Sequence, residues 1–205
     1  MRLTLCGLLL TLVMGMAAAS QNDWLIVPGK RVGPITATTT RSDLERVFGK
    51  ENLRDEKVYL VEGQTAPGTL VYPKDPKKRL AVVWKDQGKT KIELVKLTGS
   101  VSEWRSVDGI TLGTRLSKLE QLNGKPITFL GFGWDYGGNV TGWNEGALDK
   151  KPYGLALRLC AETARRDKLT SQEMESLTGD QEVQSDKPAA QKLDPWVDQM
   201  VVSFR

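Results

Sequence analysis

Ile35-Thr36-Ala37-Thr38-Thr39-Thr40-Arg41-Ser42-Asp43-Leu44-Glu45-Arg46-Val47-Phe48-Gly49-Lys50 returns 75 residues later as Ile110-Thr111-Leu112-Gly113-Thr114-Arg115-Leu116-Ser117-Lys118-Leu119-Glu120-Gln121-Leu122-Asn123-Gly124-Lys125. Eight of the sixteen aligned positions are identical: Ile35/Ile110, Thr36/Thr111, Thr39/Thr114, Ser42/Ser117, Leu44/Leu119, Glu45/Glu120, Gly49/Gly124 and Lys50/Lys125. Self-similarity at a fixed offset marks a supersecondary unit built more than once. The spacing predicts an α+β fold of two tandem repeats, each a short helix followed by a roughly four-stranded antiparallel meander. The first repeat covers residues 21–99 and the second 100–205, with an insertion at 162–195.

Inside each copy the string reads as a helix with marked ends. Thr39 and Thr114 are placed to cap the N-terminus, Thr40 with Asp43 offering an alternative cap in the first copy. Leu44/Val47 and Leu119/Leu122 supply apolar pairs at i, i+3, and Gly49 and Gly124 fit the left-handed position that ends a helix. Four strand-like segments follow the first copy: Val58 to Glu62, Gly68 to Tyr72, Arg79 to Lys85 and Lys91 to Leu97. Turn formers separate them, and the basic run Lys74 to Arg79 reads as one such solvated turn.

After the second copy, Ile127 to Tyr136 and Asn139 to Asn144 flank Gly137-Gly138, a hairpin signal, and Tyr153 to Ala161 reads as a third strand. At the same 75-residue offset Leu80/Val82/Trp84 fall on Leu155/Leu157/Leu159, so both triplets should face the core while Ala156, Arg158 and Cys160 point away. The insertion is polar, with a helix expected from Ser171 to Leu177 and a looser stretch from Gly179 to Lys192. It is the expected moving loop, before Trp196 to Phe204 closes the sheet.

The first twenty residues carry a secretory signal: Arg2, an apolar run from Leu3 to Met16, then small residues from Ala17 to Ser20. The run is shorter than the ~20 residues that span a bilayer. Cleavage would remove Arg2 and Cys6, leaving a chain expected in the periplasm or secreted, with no membrane span. Cys6 lies too early in the apolar run to be a lipid acceptor. The 29 Lys and Arg against 25 Asp and Glu, evenly spread, form no nucleic-acid footprint. Cys160 would be the lone thiol of the mature chain, so stability has to come from packing instead of a disulfide.

The chain has no histidine. That removes Ser-His-Asp and Cys-His catalysis and every histidine-ligated metal centre. No P-loop and no dinucleotide-binding glycine motif is present. The expectation is a protein without enzyme activity, cofactor or metal. The most distinctive local composition is Gly131-Phe132-Gly133-Trp134-Asp135-Tyr136-Gly137-Gly138-Asn139-Val140-Thr141-Gly142-Trp143. Alternation would put Leu130, Phe132, Trp134 and Tyr136 on one apolar face and bare the other at Gly131 and Gly133 for close approach. Aromatic rings with a polar edge suit binding surfaces. The binding candidates are therefore Trp134, Asp135, Tyr136 and Trp143, with Tyr59 and Tyr72 on the first repeat. Asp135, Glu145, Asp149 and Glu162 leave open a carboxylate hydrolase acting on carbohydrate, and the insertion leaves open a structural envelope scaffold.

The helix that starts at Gly113-Thr114, ends in Gly124-Lys125-Pro126 and leads into a strand meander resembles the unit shared by β-lactamase inhibitor protein and the SmpA/OmlA outer-membrane assembly lipoproteins. The tandem duplication is more similar to the inhibitor. The resemblance implies an exported, non-catalytic binding or inhibitor-like module that presents a sheet face or loops to a protein or a bacterial envelope polymer. Two features depart from it: a mature chain with one cysteine cannot form the inhibitor's disulfides, and no lipidated cysteine follows the signal.

Overall fold

A computed structural model describes residues 23–150 and 154–204; the secretory segment and Tyr153 lie outside the described residues. The chain folds as α+β, with a few short helices packed on mixed and antiparallel sheets. Strands β1 (Leu25–Val27), β2 (Arg31–Val32) and β3 (Ile35–Thr36) lead to helix α1 (Arg41–Phe48). Next come β4 (Leu53–Tyr59), β5 (Thr65–Val71), β6 (Leu80–Trp84), β7 (Ile92–Thr98) and β8 (Arg105–Ser106). Helix α2 (Leu116–Asn123) precedes β9 (Thr128–Leu130), β10 (Val140–Gly142) and β11 (Leu155–Cys160). The insertion holds α3 (Thr163–Arg166), α4 (Ser171–Glu175), β12 (Glu182–Gln184) and α5 (Pro188–Leu193), and β13 (Trp196–Val202) follows it.

The largest sheet has six strands in the order β11-β13-β7-β6-β5-β4, all antiparallel. A second sheet, β10-β9-β12, lies beside it, joined by a bridge between Asn139 and Arg158. The third, β3-β2-β1-β8, contains a parallel pair, β1 with β8. One face of the six-stranded sheet packs into the core. Leu80, Val82 and Trp84 are buried there together with Leu155, Leu157 and Leu159, as the alternation predicts. Ala156 is exposed on the other face, and Arg158 and Cys160 are half-buried there.

The repeated string makes the same local turn twice. Thr36 N–H donates to Thr39 Oγ1 at 2.9 Å and Thr111 N–H to Thr114 Oγ1 at 3.0 Å. Thr39 and Thr114 therefore close the turn before each helix instead of capping it. The cap of α1 is Thr40, which forms a capping box with Asp43. Helix α2 starts at Arg115 with no side-chain cap of its own. Its free N–H groups are met from far along the chain: Ser117 donates to Asp194 Oδ1 at 3.0 Å and Leu116 to the Pro195 carbonyl at 2.7 Å. Gly124 ends α2 in the left-handed region, whereas Gly49 has φ 82° and ψ 141° and turns the chain straight into a 3-10 turn, Lys50–Asn52.

Several expected boundaries shift. The first meander strand is Leu53–Tyr59, and Pro67 sits inside β5 opposite Lys57, where the pairing of β5 with β6 has not yet begun. A proline, lacking an N–H, is tolerated at such a position. β9 ends at Leu130, so 131–139 is a pinned loop and not a two-residue hairpin. The insertion is not a loose loop: Leu177, Val183, Ala190 and Leu193 are fully buried, and β12 pairs with β9. Ser185 within it is buried, accepts from Ile127 N–H at 2.8 Å and donates to Glu120.

A polar relay ties the first half together. Buried Trp84 Nε1–H donates to Thr69 Oγ1 at 3.0 Å, and Thr69 in turn donates to Asp55 at 2.6 Å. Asp55 also receives Arg41 of α1 at 3.0 Å and Lys89 at 2.7 Å. Burial acts to raise the Asp55 pKa, but the hydrogen bonds from Lys89, Thr69 and Arg41 outweigh it and hold the group below the ordinary carboxylate range. A depressed folded-state pKa contributes stability above the unfolded value, about 4, that is lost as pH falls through the folded one. Urea unfolding should therefore show wild type more stable than Asp55→Asn above about pH 5, with the gap closing below about pH 4. Asp194→Ala, which uncaps α2, should cost about 1 kcal/mol in the same assay. Asp194→Asn should cost less, since asparagine keeps the acceptor and tolerates the left-handed φ of 42°.

Candidate functional site

The second face of the six-stranded sheet carries the candidate site. Cross-strand pairing lines up Arg54, Leu70, Ala81, Lys96, Val201 and Ala156 in one transverse row. The end of the β4–β5 hairpin folds back over this row. Val58, Ala81 and Val83 are buried in a small apolar cluster of their own, with Leu60, Ala66, Leu70 and Leu94 packed around them. Lys96 Nζ donates to the Tyr59 carbonyl at 3.0 Å. In a flat sheet β4 and β7 would lie about 14 Å apart, three strand spacings, well beyond the reach of one lysine. The contact is made because the hairpin curls.

Gly68 permits the curl. A Cβ there would sit 2.2 Å from Val58 Cγ2 and 3.3 Å from the Val82 carbonyl oxygen. At the hairpin tip the Gln64 N–H bonds the Val61 carbonyl at 2.9 Å, with Glu62 at φ 51° and Gly63 at φ 74°. Two positive φ values in a tight turn suit the twist of a hairpin, though glutamate pays strain that glycine or asparagine would not. The strained residue makes the crossing contact: Glu62 Oε1 accepts from the Tyr136 hydroxyl at 3.0 Å. That hydrogen bond, more than burial, raises the Tyr136 pKa above its usual value.

The loop 131–138 that presents Tyr136 is pinned on both flanks. Phe132 N–H bonds Leu177 O at 2.7 Å, Gly179 N–H bonds Phe132 O at 2.9 Å, and Leu159 N–H bonds Gly138 O at 2.8 Å. Gly131 and Gly138 allow these approaches: added Cβ atoms would stand 2.6 Å from Gly179 O and 2.0 Å from Leu159 O. The alternation expected from Leu130 to Tyr136 does not hold, because the strand has ended. Phe132 is buried, while Trp134 is exposed and packs on Tyr136 at 5.3 Å between ring centres. Its Nε1–H donates to Gly131 O at 2.9 Å.

Four of the six sequence candidates share this surface. Tyr59, 53% exposed, and Trp134, 36% exposed, stand with Asp135 around a hollow of about 200 Å³, and Tyr136 holds the rim. Tyr72 does not join them. It is half-buried on the core side, edge-on to Trp24 and Phe48, with Lys78 Nζ 6.0 Å from its ring. Trp143 is also half-buried, packed on the main core, and its carbonyl accepts from the buried Asn123 at 2.8 Å. Of the four carboxylates weighed for hydrolysis, Asp135 lines the hollow. Glu145 is exposed near Lys125, Asp149 accepts from the Glu145 N–H, and Glu162 pairs with Arg115 beside α2.

Sequence reading missed the charged floor. Arg158 makes a two-pronged pair with Asp198 at 3.0 and 2.6 Å. Half-buried Cys160 lies on the same face; burial, then the charge of Asp198, push its thiol up, away from the reactive thiolate. The missed signal was the unbroken apolar run Leu80-Ala81-Val82-Val83-Trp84, every residue of which is buried. Such a run means that both faces of the strand are covered. Among the described residues no group of three or more Asp, Glu or Cys side chains gathers to hold a metal ion, and no helix is long and apolar enough to cross a membrane.

No family model, no curated protein and no solved structure matches the chain.

Gly68→Ala should destabilise by roughly 2 kcal/mol in spite of alanine's lower backbone entropy, since the clash outweighs the gain. In the Gly68→Ala, Val58→Ala double variant the two effects should be less than additive, a coupling that a double-mutant cycle by urea unfolding would measure.

Proposed function

We propose that the chain is an exported, soluble, non-catalytic binding module, inhibitor-like in layout, that engages a protein or a cell-envelope polymer in the periplasm or outside the cell. The observation that carries this reading is the pair of exposed rings, Tyr59 and Trp134, held on either side of one hollow by a curled hairpin and a pinned loop. Exposed aromatics on a preorganised support lose little freedom on binding, which favours affinity. A histidine-free chain in which Asp135 lines the hollow while Glu145, Asp149 and Glu162 do not supports binding over turnover. Export rests on the charged start, apolar run and small residues of the first twenty positions.

The tandem-repeat reading belongs to the same proposal. It is supported by the duplicated threonine turns before α1 and α2. The strand order supports it in part: β4 to β7 follow α1 and fill one side of the six-stranded sheet, while β11 and β13 follow α2 and complete it, the two sets meeting at β7 and β13, and β9 and β10 lie in the neighbouring sheet. On this reading β12 and the insertion helices are additions to the second copy. Identical positions have then diverged: Glu45 pairs with Arg41 of its own helix, whereas Glu120 receives Ser185 and Gln191 from the insertion.

The test is affinity capture from a cell-envelope extract with tagged protein beginning at Gln21, with bound proteins and glycans both identified. The expected result is one enriched partner whose recovery falls at least about tenfold in a folded Tyr59→Ala, Trp134→Ala variant. Equal recovery by that variant, or no enrichment by wild type, would sink the proposal.

A further inference from the structure

A larger cavity, about 420 Å³, lies on the same open face on the other side of Tyr59. Its floor is aliphatic, with Val58, Leu70 and Ala81, and its walls carry more positive than negative charge. Arg54 is neutralised by Glu56 at 2.9 Å, and further along the face Arg158 is neutralised by Asp198. Arg79 and Lys96, both half-buried in the cavity wall, have no carboxylate at ion-pair distance among the described residues. Lys96 spends one of its three N–H donors on the Tyr59 carbonyl. Burial, reinforced by the positive charge of Arg158, pulls the Lys96 pKa down, with Asp198 opposing. A cation taken partly out of water with no carboxylate paired directly to it is unfavourable, and an anion in the cavity would relieve it.

We propose that this cavity takes a glutamate or aspartate side chain from an extended acidic segment of a partner protein, the carboxylate pairing with Lys96 and Arg79 and the chain passing Tyr59 toward Trp134. This rests on the binding-module reading above and names the chemistry of its partner. Three observations select an acidic peptide. The two cations fix the charge, and a guanidinium beside an ammonium suits a carboxylate. The floor of Val58, Leu70 and Ala81 matches the aliphatic stem of an amino acid, and the exposed Tyr59 ring at its edge can pack along that stem. Tyr59 lines both this cavity and the smaller hollow, so the two form one elongated trough and not a closed socket for a lone ion.

The experiment is titration of the folded protein from Gln21 onward with a short poly-glutamate peptide, its glutamine counterpart and inorganic phosphate, followed by calorimetry and by amide chemical shifts. The expected result is saturable binding of poly-glutamate at low salt, with shifts at Leu70, Ala81 and Lys96. Affinity should fall about tenfold in Lys96→Gln and in Arg79→Gln, the loss expected when a partly desolvated charge pair is removed. Lys96→Gln also removes the bond to Tyr59; Arg79 makes no such bond, so Arg79→Gln tests the charge alone. Absence of poly-glutamate binding, equal binding of the glutamine peptide, phosphate binding as tight as poly-glutamate, or an Arg79→Gln variant that binds as wild type would each overturn the proposal. If a captured partner still depends on Tyr59 and Trp134 while poly-glutamate fails to bind, the acidic segment is wrong and the module reading stands. If nothing is captured, the module reading is what fails.

Discussion

The pairing of β13 with β7 is the constraint on which the rest of the molecule depends. Its register sets Val202 opposite Val95 and Met200 opposite Leu97, and all four are buried in the core. The same register sets Val201 opposite Lys96 and Gln199 opposite Thr98 on the other face. With β7 held by β6, a slip of β13 by one residue would turn Val201 and Gln199 inward and leave Met200 and Val202 on the open face. Core and open face are thus two sides of one alignment. The burial of four large apolar side chains is what specifies where the charged ones stand.

Around that seam, hydrogen bonds that run across the elements set the shape of the open face. Trp84, Thr69, Asp55 and Arg41 connect the core to α1 through the first hairpin. Lys96 to Tyr59 and Tyr136 to Glu62 then hold the curled end of that hairpin against the second half of the chain. The curl needs Gly68 to have no side chain, and the tip needs Glu62 at a positive φ. Backbone strain retained at the point where two distant segments touch fits a surface kept for recognition rather than for stability alone.

Much of this was legible in the sequence where a local period or a local exchange of hydrogen bonds decides the outcome. The helices at the repeated string, the inward triplets ending in Trp84 and Leu159 and the final strand from Trp196 all follow from spacing. The small sheet of β1, β2, β3 and β8 was not legible, because strands as short as Arg31–Val32 have no room for an alternation to show. Nor was the cap of α2, since Asp194 lies 77 residues from the N–H it satisfies. For the candidate site, aromatic enrichment picked out Tyr59, Trp134 and Tyr136, which share one surface, but equally selected Tyr72 and Trp143, which pack toward the core. Ring content alone does not tell an inner face from an outer one. Lys96 and Arg79 escaped notice because a lone cation in a strand or turn reads as solvated until the hairpin that covers it is in view.

The borrowed cap of α2 also gives the molecule a direction in time. α1 brings its own capping box, and the four strands after it pair with their neighbours in sequence, so the first half can close on contacts that are short along the chain. Helix α2 must wait for residues 194 and 195, and its C-terminal neighbour β9 waits for β12. Local contacts form quickly and distant ones slowly. A chain delivered from its N-terminus, by a ribosome or through a channel, would therefore settle one half while the copy of the same motif in the other half is still without partners.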